Sequence, residues 1–201
     1  INAITVRDGE ILLEAKLTNG TSEIMMALRS GRAIRFPEAK VRPMGRNASG
    51  VRGVTLSNED DAVVGMVCAE TTSTQVLVVS ENGYGKRSEI EEYRITNRGG
   101  KGVKTINVTE KTGYLIAIIG VKDEDDLMII TRGGITIRTP IEDLRVQGRA
   151  TQGVRLINLK GNQTIAAVTC VEKEEEEEIE GTDIEQGGEG ATPETEEPTN
   201  E

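Results

Sequence analysis

The chain has no histidine and no tryptophan, one phenylalanine (Phe36), three tyrosines and two cysteines in 201 residues. Without histidine the commonest general base and the commonest metal ligand are gone, which excludes Ser-His, Cys-His and His-metal chemistries. With so few aromatics, a core must be built from Val, Ile, Leu, Met and Ala, and the scarcity argues against stacking of single-stranded bases. The two cysteines, Cys68 and Cys170, end the last extended run of their repeats, where the middle repeat has Gly120. They read as small hydrophobes in a reducing cytosol rather than a disulfide or a reactive thiol. No apolar run reaches the roughly 20 residues of a membrane span, and no signal peptide opens the chain. The expectation is a cytosolic protein or a piece of one, with no membrane partner.

Charge is unevenly spread. From Glu172 onward the chain holds 14 acids and one lysine, a net of −13, which leaves residues 1–171 with 20 acids against 23 bases, a net of +3. The apparent acidity is all in the tail. Its glutamate run, glycines and prolines supply too little apolar surface to offset chain entropy, so residues 172–201 are read as disordered.

What is present is a repeat. Gly31 maps onto Gly83 and Gly134, and Gly50 onto Gly102 and Gly153, at offsets of 52 and then 51. Four basic registers travel with them: Arg35, Arg87 and Arg138; Arg42, Arg94 and Arg145; Arg46, Arg98 and Arg149; Arg52, Lys104 and Arg155. All twelve positions are Arg or Lys in a body that is about one-seventh basic. Self-similarity at this period signals stacked or radially arranged units.

Each unit reads as four short extended runs separated by turns, an all-β pattern. In the first, the runs are residues 24–28, 33–36, 51–56 and 62–68; the second and third repeat them, giving blades at about 23–70, 74–122 and 126–171. Ser30-Gly31, Asn82-Gly83 and Gly133-Gly134 are the tight hairpins between runs one and two. Residues 1–20 resemble runs three and four of a preceding, incomplete unit, so the chain is read as the C-terminal part of a longer array.

Cations repeated once per blade suit a phosphate backbone, because neutralising several phosphates releases condensed counterions. Small residues flank the basic ones in Gly45-Arg46-Asn47-Ala48-Ser49-Gly50, Asn97-Arg98-Gly99-Gly100-Lys101-Gly102 and Gly148-Arg149-Ala150-Thr151-Gln152-Gly153. They let the main chain approach an anion and offer its N–H groups. Lys101 and, in the hairpin Gly83-Tyr84-Gly85-Lys86-Arg87, Lys86 join the candidates. Nothing resembles a recognition helix, so binding to duplex DNA with little sequence preference is expected. The bland reading is a solvated face, or pairing with acids such as Glu38, Glu89, Glu91, Glu92, Glu142 and Asp143. The acidic clusters at 59–61 and 123–126 lack ligand spacing and read as loops, not metal sites.

The segments Gly31-Arg32-Ala33-Ile34-Arg35-Phe36, Met44-Gly45-Arg46, Gly50-Val51-Arg52-Gly53, Asn82-Gly83-Tyr84-Gly85-Lys86-Arg87 and Gly148-Arg149-Ala150-Thr151-Gln152-Gly153-Val154 resemble the C-terminal domains of bacterial DNA gyrase A subunits. The resemblance implies a β-pinwheel, a propeller-like array of four-stranded blades. About three full blades and part of another would lie here, with duplex DNA wrapped round the rim to direct ATP-dependent negative supercoiling. It implies no catalytic role and no cofactor for this chain, with ATP and Mg bound elsewhere in the parent type II topoisomerase. It also implies two partners through a missing N-terminal region, the gyrase B subunit plus a second A subunit, in a bacterial, nucleoid-associated cytoplasmic location. The family's box of Gln, Lys or Arg, Arg-Gly-Gly-Lys-Gly has only an echo at Thr96-Asn97-Arg98-Gly99-Gly100-Lys101-Gly102. Rivals are a propeller-like protein-interaction scaffold and the related topoisomerase IV A subunit.

The tail beside a basic rim acts, on this reading, as a tethered competitor for phosphate. Deleting residues 172–201 is expected to raise duplex affinity at fixed low salt, where charge is least screened. Equal titration curves for the two proteins would reduce the tail to a solubilising appendage.

Overall fold

The computed structural model describes residues 3–70, 74–161 and 163–173. The acidic run from residue 174, and the expectation of disorder there, lie outside the described residues. The first β-branched and apolar runs form β1 (Glu23–Leu28) and β2 (Arg32–Pro37), closed into a hairpin by Gly31 at φ +79°, a conformation costly for any side chain with a Cβ. A single 3-10 turn, η1 (Glu38–Lys40), follows, and β3 (Val63–Ala69) returns beside β1. The second repeat gives β4 (Gln75–Ser80), β5 (Tyr84–Glu89), η2 (Ile90–Glu92), β6 (Val103–Lys104) and β7 (Leu115–Val121). The third gives β8 (Asp125–Thr131), β9 (Thr136–Pro140), η3 (Ile141–Asp143), β10 (Val154–Arg155) and β11 (Ile165–Glu172).

The three sheets are antiparallel, with strand orders β3-β1-β2-β6, β10-β5-β4-β7 and β11-β8-β9. These orders correct the simple reading of one repeat per four-stranded blade. The third run of a repeat leaves its own unit and pairs with the second strand of the preceding one: Val103 opposes Ala33 and Lys104 opposes Arg32, while Val154 opposes Gly85 and Arg155 opposes Tyr84. The equivalent run of the first repeat, residues 51–56, forms no strand, and the third sheet has three strands among the described residues. Residues 3–20 likewise form no strand, and β11 extends the folded body to Glu172, the first residue assigned to the tail.

The exchange depends on glycine. Gly102 and Gly153 lie at φ +68° and +82°, and a Cβ on either would meet the carbonyl oxygen of Ala33 or Gly85. The incoming strand is then fixed by Thr105 N–H donating to Gly31 O at 2.9 Å, matched one blade on by Leu156 N–H donating to Gly83 O at 2.8 Å.

Alternation along each strand divides the core. Met25, Ala27, Ala33, Val67 and Ala69 pack on Val76, Val78, Ile90, Tyr93, Ile106 and Leu115 between the first and second sheets. Leu77 and Val79 meet Leu127, Ile129, Ile141, Leu144 and Ile165 between the second and third. The other face of the first sheet gathers Ile24, Leu28, Ile34 and Phe36 under Val54. The second sheet thus uses both of its faces to stack, as period-two strands allow. No described helix is long and apolar enough to cross a membrane.

Gly102→Ala should destabilise the protein by more than about 1 kcal/mol, since it adds a Cβ both at positive φ and against a neighbouring carbonyl. Denaturant unfolding measures the change; a wild-type midpoint would mean that the exchanged strand can shift without loss.

Candidate nucleic-acid interface

The four basic registers part company in the structure. The first is buried at two of its three positions. Arg35 is 5% exposed and Arg87 7%. Arg35 Nε donates to Glu23 Oε2 at 2.6 Å, and its Nη1 donates to the carbonyls of Ile90 at 2.6 Å and Tyr93 at 3.1 Å, in the turn of the next repeat. Arg87 repeats the arrangement: it pairs with Asp123, donates to Gln75 Oε1 at 3.1 Å, and reaches the carbonyls of Leu144 and Glu142 in the third repeat. Arg138 has Asp126 Oδ2 2.6 Å from its Nε, although its side chain is 44% exposed. The assignment of Arg35 and Arg87 to DNA is therefore corrected, whereas Arg138 is exposed and engages Asp126 through Nε. Arg35 and Arg87 latch one blade to the next, their guanidinium groups taken up by carboxylates, an amide and carbonyls.

Lys86 is corrected with them. Fully buried, its Nζ donates to Gly148 O at 2.5 Å and Thr151 Oγ1 at 3.2 Å, and so holds the loop of the third repeat. Burial pulls its pKa down to about 8; Glu92 opposes that shift and nearby Arg149 adds to it.

The remaining registers face outward. Arg42, Arg94 and Arg145, which follow the 3-10 turns, lie at the surface, and none joins an ion pair among the described residues. Arg52, Lys104 and Arg155 are exposed too, and Lys104 and Arg155 occupy β6 and β10, the terminal strands of two successive sheets. Lys101 is exposed, its loop braced by Arg32, whose Nε and Nη2 donate to Lys101 O at 2.9 Å and Gly102 O at 2.7 Å. Arg46 is exposed, whereas Arg98 and Arg149 are half-buried. Arg98 Nη1 donates to Arg52 O at 3.0 Å, and Arg149 Nη1 to Lys104 O at 2.9 Å. Each of these two arginines thus stands beside a cation of the preceding repeat. The structure gathers Arg52 with Arg98, and Lys104 with Arg149, at successive junctions.

The acids that pair with the first register are not those expected from sequence. Glu23 and Asp126, with Gln75 between them, lie twelve positions before Arg35, Arg138 and Arg87. That fixed offset was the available signal. Of the anticipated acids, Glu92 serves the Arg149 backbone, accepting from its N–H at 2.6 Å, and Glu142 pairs with Lys173 at 3.0 Å. Sequence reasoning also passed over Arg29, 4.2 Å from the Tyr114 ring centroid, and Lys111, 5.4 Å from that of Tyr84. Both cysteines are unpaired. Burial raises the Cys170 thiol to about 11 and moves Cys68 upward as well, so neither is poised as a nucleophile.

Stacked antiparallel sheets, each completed or latched by its successor and carrying cations on its terminal strand, define a propeller-like repeat protein with a basic edge. The family described as "DNA gyrase C-terminal domain, beta-propeller" matches residues 22–70, 74–122 and 125–172. The chain belongs to that family. It is 46% identical over 179 residues to the DNA gyrase A subunit of Staphylococcus aureus strain MRSA252, covering 89% of this chain and 20% of that one. The corresponding protein of strain NCTC 8325 / PS 47 is also 46% identical, over 177 residues, with 88% and 20% covered. The chain therefore spans about a fifth of the length of these relatives. The solved DNA gyrase A C-terminal domain superposes with a TM-score of 0.75 at 25% identity, over 84% of this chain and 57% of that one. The C-terminal domain of DNA topoisomerase IV gives 0.79 at 22% identity, over 85% and 53%, a likeness of fold.

Lys86 gives a pH signature. Below pH 8 it is charged in both the folded and unfolded chain. Between pH 8 and the ordinary lysine value of 10.5 the folded protein has released a proton that the unfolded chain retains, so this group makes stability rise with pH across that window. Lys86→Met should remove that rise from thermal denaturation curves recorded against pH. A variant whose stability difference from wild type stayed constant from pH 7.5 to about 10.5 would rule the lysine out as its source.

Proposed function

We propose that this chain is a non-catalytic, duplex-binding part of a gyrase-type A subunit, which bends DNA along its basic edge. The observation that carries this reading is the recurrence of outward cations at successive blade junctions: Arg52 with Arg98, then Lys104 with Arg149, flanked by Arg42, Arg94 and Arg145. A straight duplex meets a stack of blades over a limited length, whereas a bent one meets several junctions in turn. Smooth bending of 20 to 30 base pairs by 40–90° costs on the order of 1–6 kcal/mol. Charge-assisted hydrogen bonds contribute roughly 1.5–3 kcal/mol each, so contacts at the two junctions offset the bend. Loss of Arg35 and Arg87 to latching leaves enough cations for this.

Backbone contacts carry no sequence information directly, so the preference among sequences is small and comes from deformability. In the parent protein this wrapping gives ATP-dependent negative supercoiling its direction. Regions outside this chain engage ATP, Mg, a second A subunit, plus the gyrase B subunit, in the bacterial cytoplasm at the nucleoid. The 46% identity to gyrase sequences favours a gyrase over a topoisomerase IV parent.

Arg94→Ala and Arg145→Ala should each weaken binding to unrelated duplexes by similar factors and lower the slope of log affinity against log salt by about 0.9. Arg46→Ala and Arg149→Ala should also act alike on unrelated sequences. Equilibrium binding across a salt series decides. A loss confined to one sequence would indicate base readout, and a flat salt response would indicate a protein partner in place of DNA.

A further inference from the structure

Where the second and third repeats meet lies a cleft of about 460 Å³ that adds to Arg155 of the fourth register residues the registers do not include, lined by Asn82, Tyr84, Lys111, Arg155, Asn158 and Gln163 among others. Tyr84 opens β5, with its ring buried and its hydroxyl accepting a hydrogen bond from Arg155 Nη2 at 2.9 Å. The guanidinium carbon of Arg155 and the amine of Lys111 lie 5.5 and 5.4 Å from the ring centroid, within range of a cation–π attraction. Both are placed by amides: Asn82 Nδ2 donates to the carbonyls of Glu110 at 3.1 Å and Lys111 at 3.3 Å, and Arg155 Nη1 donates to Asn158 Oδ1 at 3.2 Å. Neither cation joins an ion pair among the described residues. The hydrogen bond from Arg155 also draws the Tyr84 phenol below its ordinary range.

The preceding junction is built differently. At the repeat offset of 52, Arg32 stands where Tyr84 does and Glu59 where Lys111 does. Arg32 turns its Nε and Nη2 to the Lys101 and Gly102 carbonyls, and an acid, Glu59, stands in place of the second cation. The second junction brings together Lys111 and Arg155 with a phenol whose own O–H is still to donate and with side-chain amides, whereas the first has no phenol and an acid in the place of Lys111.

We propose that this cleft seats a single phosphate group of the bound duplex and thereby fixes the path of the DNA at the junction of the second and third blades. The inference rests on the duplex-binding reading above and adds to it residues outside the four registers. Lys111 and Arg155 supply charge to the phosphate oxygens, and Tyr84 holds Arg155 in place while donating its own proton to the same group. Because the ring is buried in the hairpin, the seat is rigid in a way that the exposed arginines are not.

The test is duplex binding across a salt series by the full chain and by Lys111→Ala, Tyr84→Phe and Lys16→Ala. Lys16 lies before the first blade, 3.6 Å from Glu14, and serves as the control for loss of one charge. Lys111→Ala should weaken binding several-fold and reduce the salt slope by about 0.9. Tyr84→Phe should weaken it about threefold with the slope unchanged, since no charge is removed. Lys16→Ala should do neither. Either Lys111→Ala matching Lys16→Ala, or Tyr84→Phe matching the wild type, overturns the seat while leaving duplex binding intact. A wild-type chain that binds no duplex removes the underlying reading instead. Inorganic phosphate, titrated while the side-chain amide signals of Asn82, Asn158 and Gln163 are followed by NMR, provides the remaining arm. Saturable shifts together with a Lys111→Ala variant of undiminished duplex affinity would assign the cleft to free phosphate and refute the DNA assignment.

Discussion

The buried guanidinium that crosses from one repeat to the carbonyls of the next is the contact on which the rest of the architecture depends. Arg35 is held by Glu23 on its own sheet and delivers its far side to Ile90 and Tyr93; Arg87 does the same toward Leu144 and Glu142. An isolated charge at that depth would cost several kcal/mol, so the latch is tolerable only when carboxylate and carbonyls are all in place. Arginine suits the role because its planar fork serves two directions at once and stays charged. The 3-10 turns matter for the same reason: the carbonyls of Tyr93 and Leu144, one residue past each turn, are not consumed by a continuing helix and accept from the latch.

Strand exchange makes the latch cooperative with the sheet. A repeat that folds supplies both the carbonyls for its predecessor's arginine and the two-residue strand that completes its predecessor's sheet. Neighbouring units therefore stabilise one another directly, the behaviour of quasi-one-dimensional arrays, though with covalent crossing between units rather than simple face contact. The basic edge inherits this dependence. Lys104 sits on the first sheet and Arg155 on the second, although each belongs to the following repeat in sequence, and the partner carbonyl that orients Arg149 is that of Lys104. The surface that meets phosphate is thus assembled between repeats and exists only when they are stacked.

Much of this was readable from residues. The hairpins at Gly31 and Gly83, the all-β composition and the repeat all follow from local chemistry, because a tight turn demands positive φ wherever it occurs. The fate of Arg35 was also within reach: strand alternation puts it on the same face as Ala33, which lies in the core between the first two sheets. The identical spacing of the four registers obscured this, since Arg42 and Arg35 recur equally well and only one is in a strand. The exchange was not readable. Val103–Lys104 is two residues long, and nothing in so short a run specifies which of two neighbouring edges it will join.

By itself the sequence determined the number of units, where each chain reversal falls, the aliphatic core and the excess of positive charge outside the tail, because these depend on side-chain size, glycine freedom and net charge. Only the tertiary structure decided which arginines bind protein and which face solvent. A guanidinium is buried or displayed according to whether carbonyls and a carboxylate converge on it, and that convergence involves residues more than fifty positions apart.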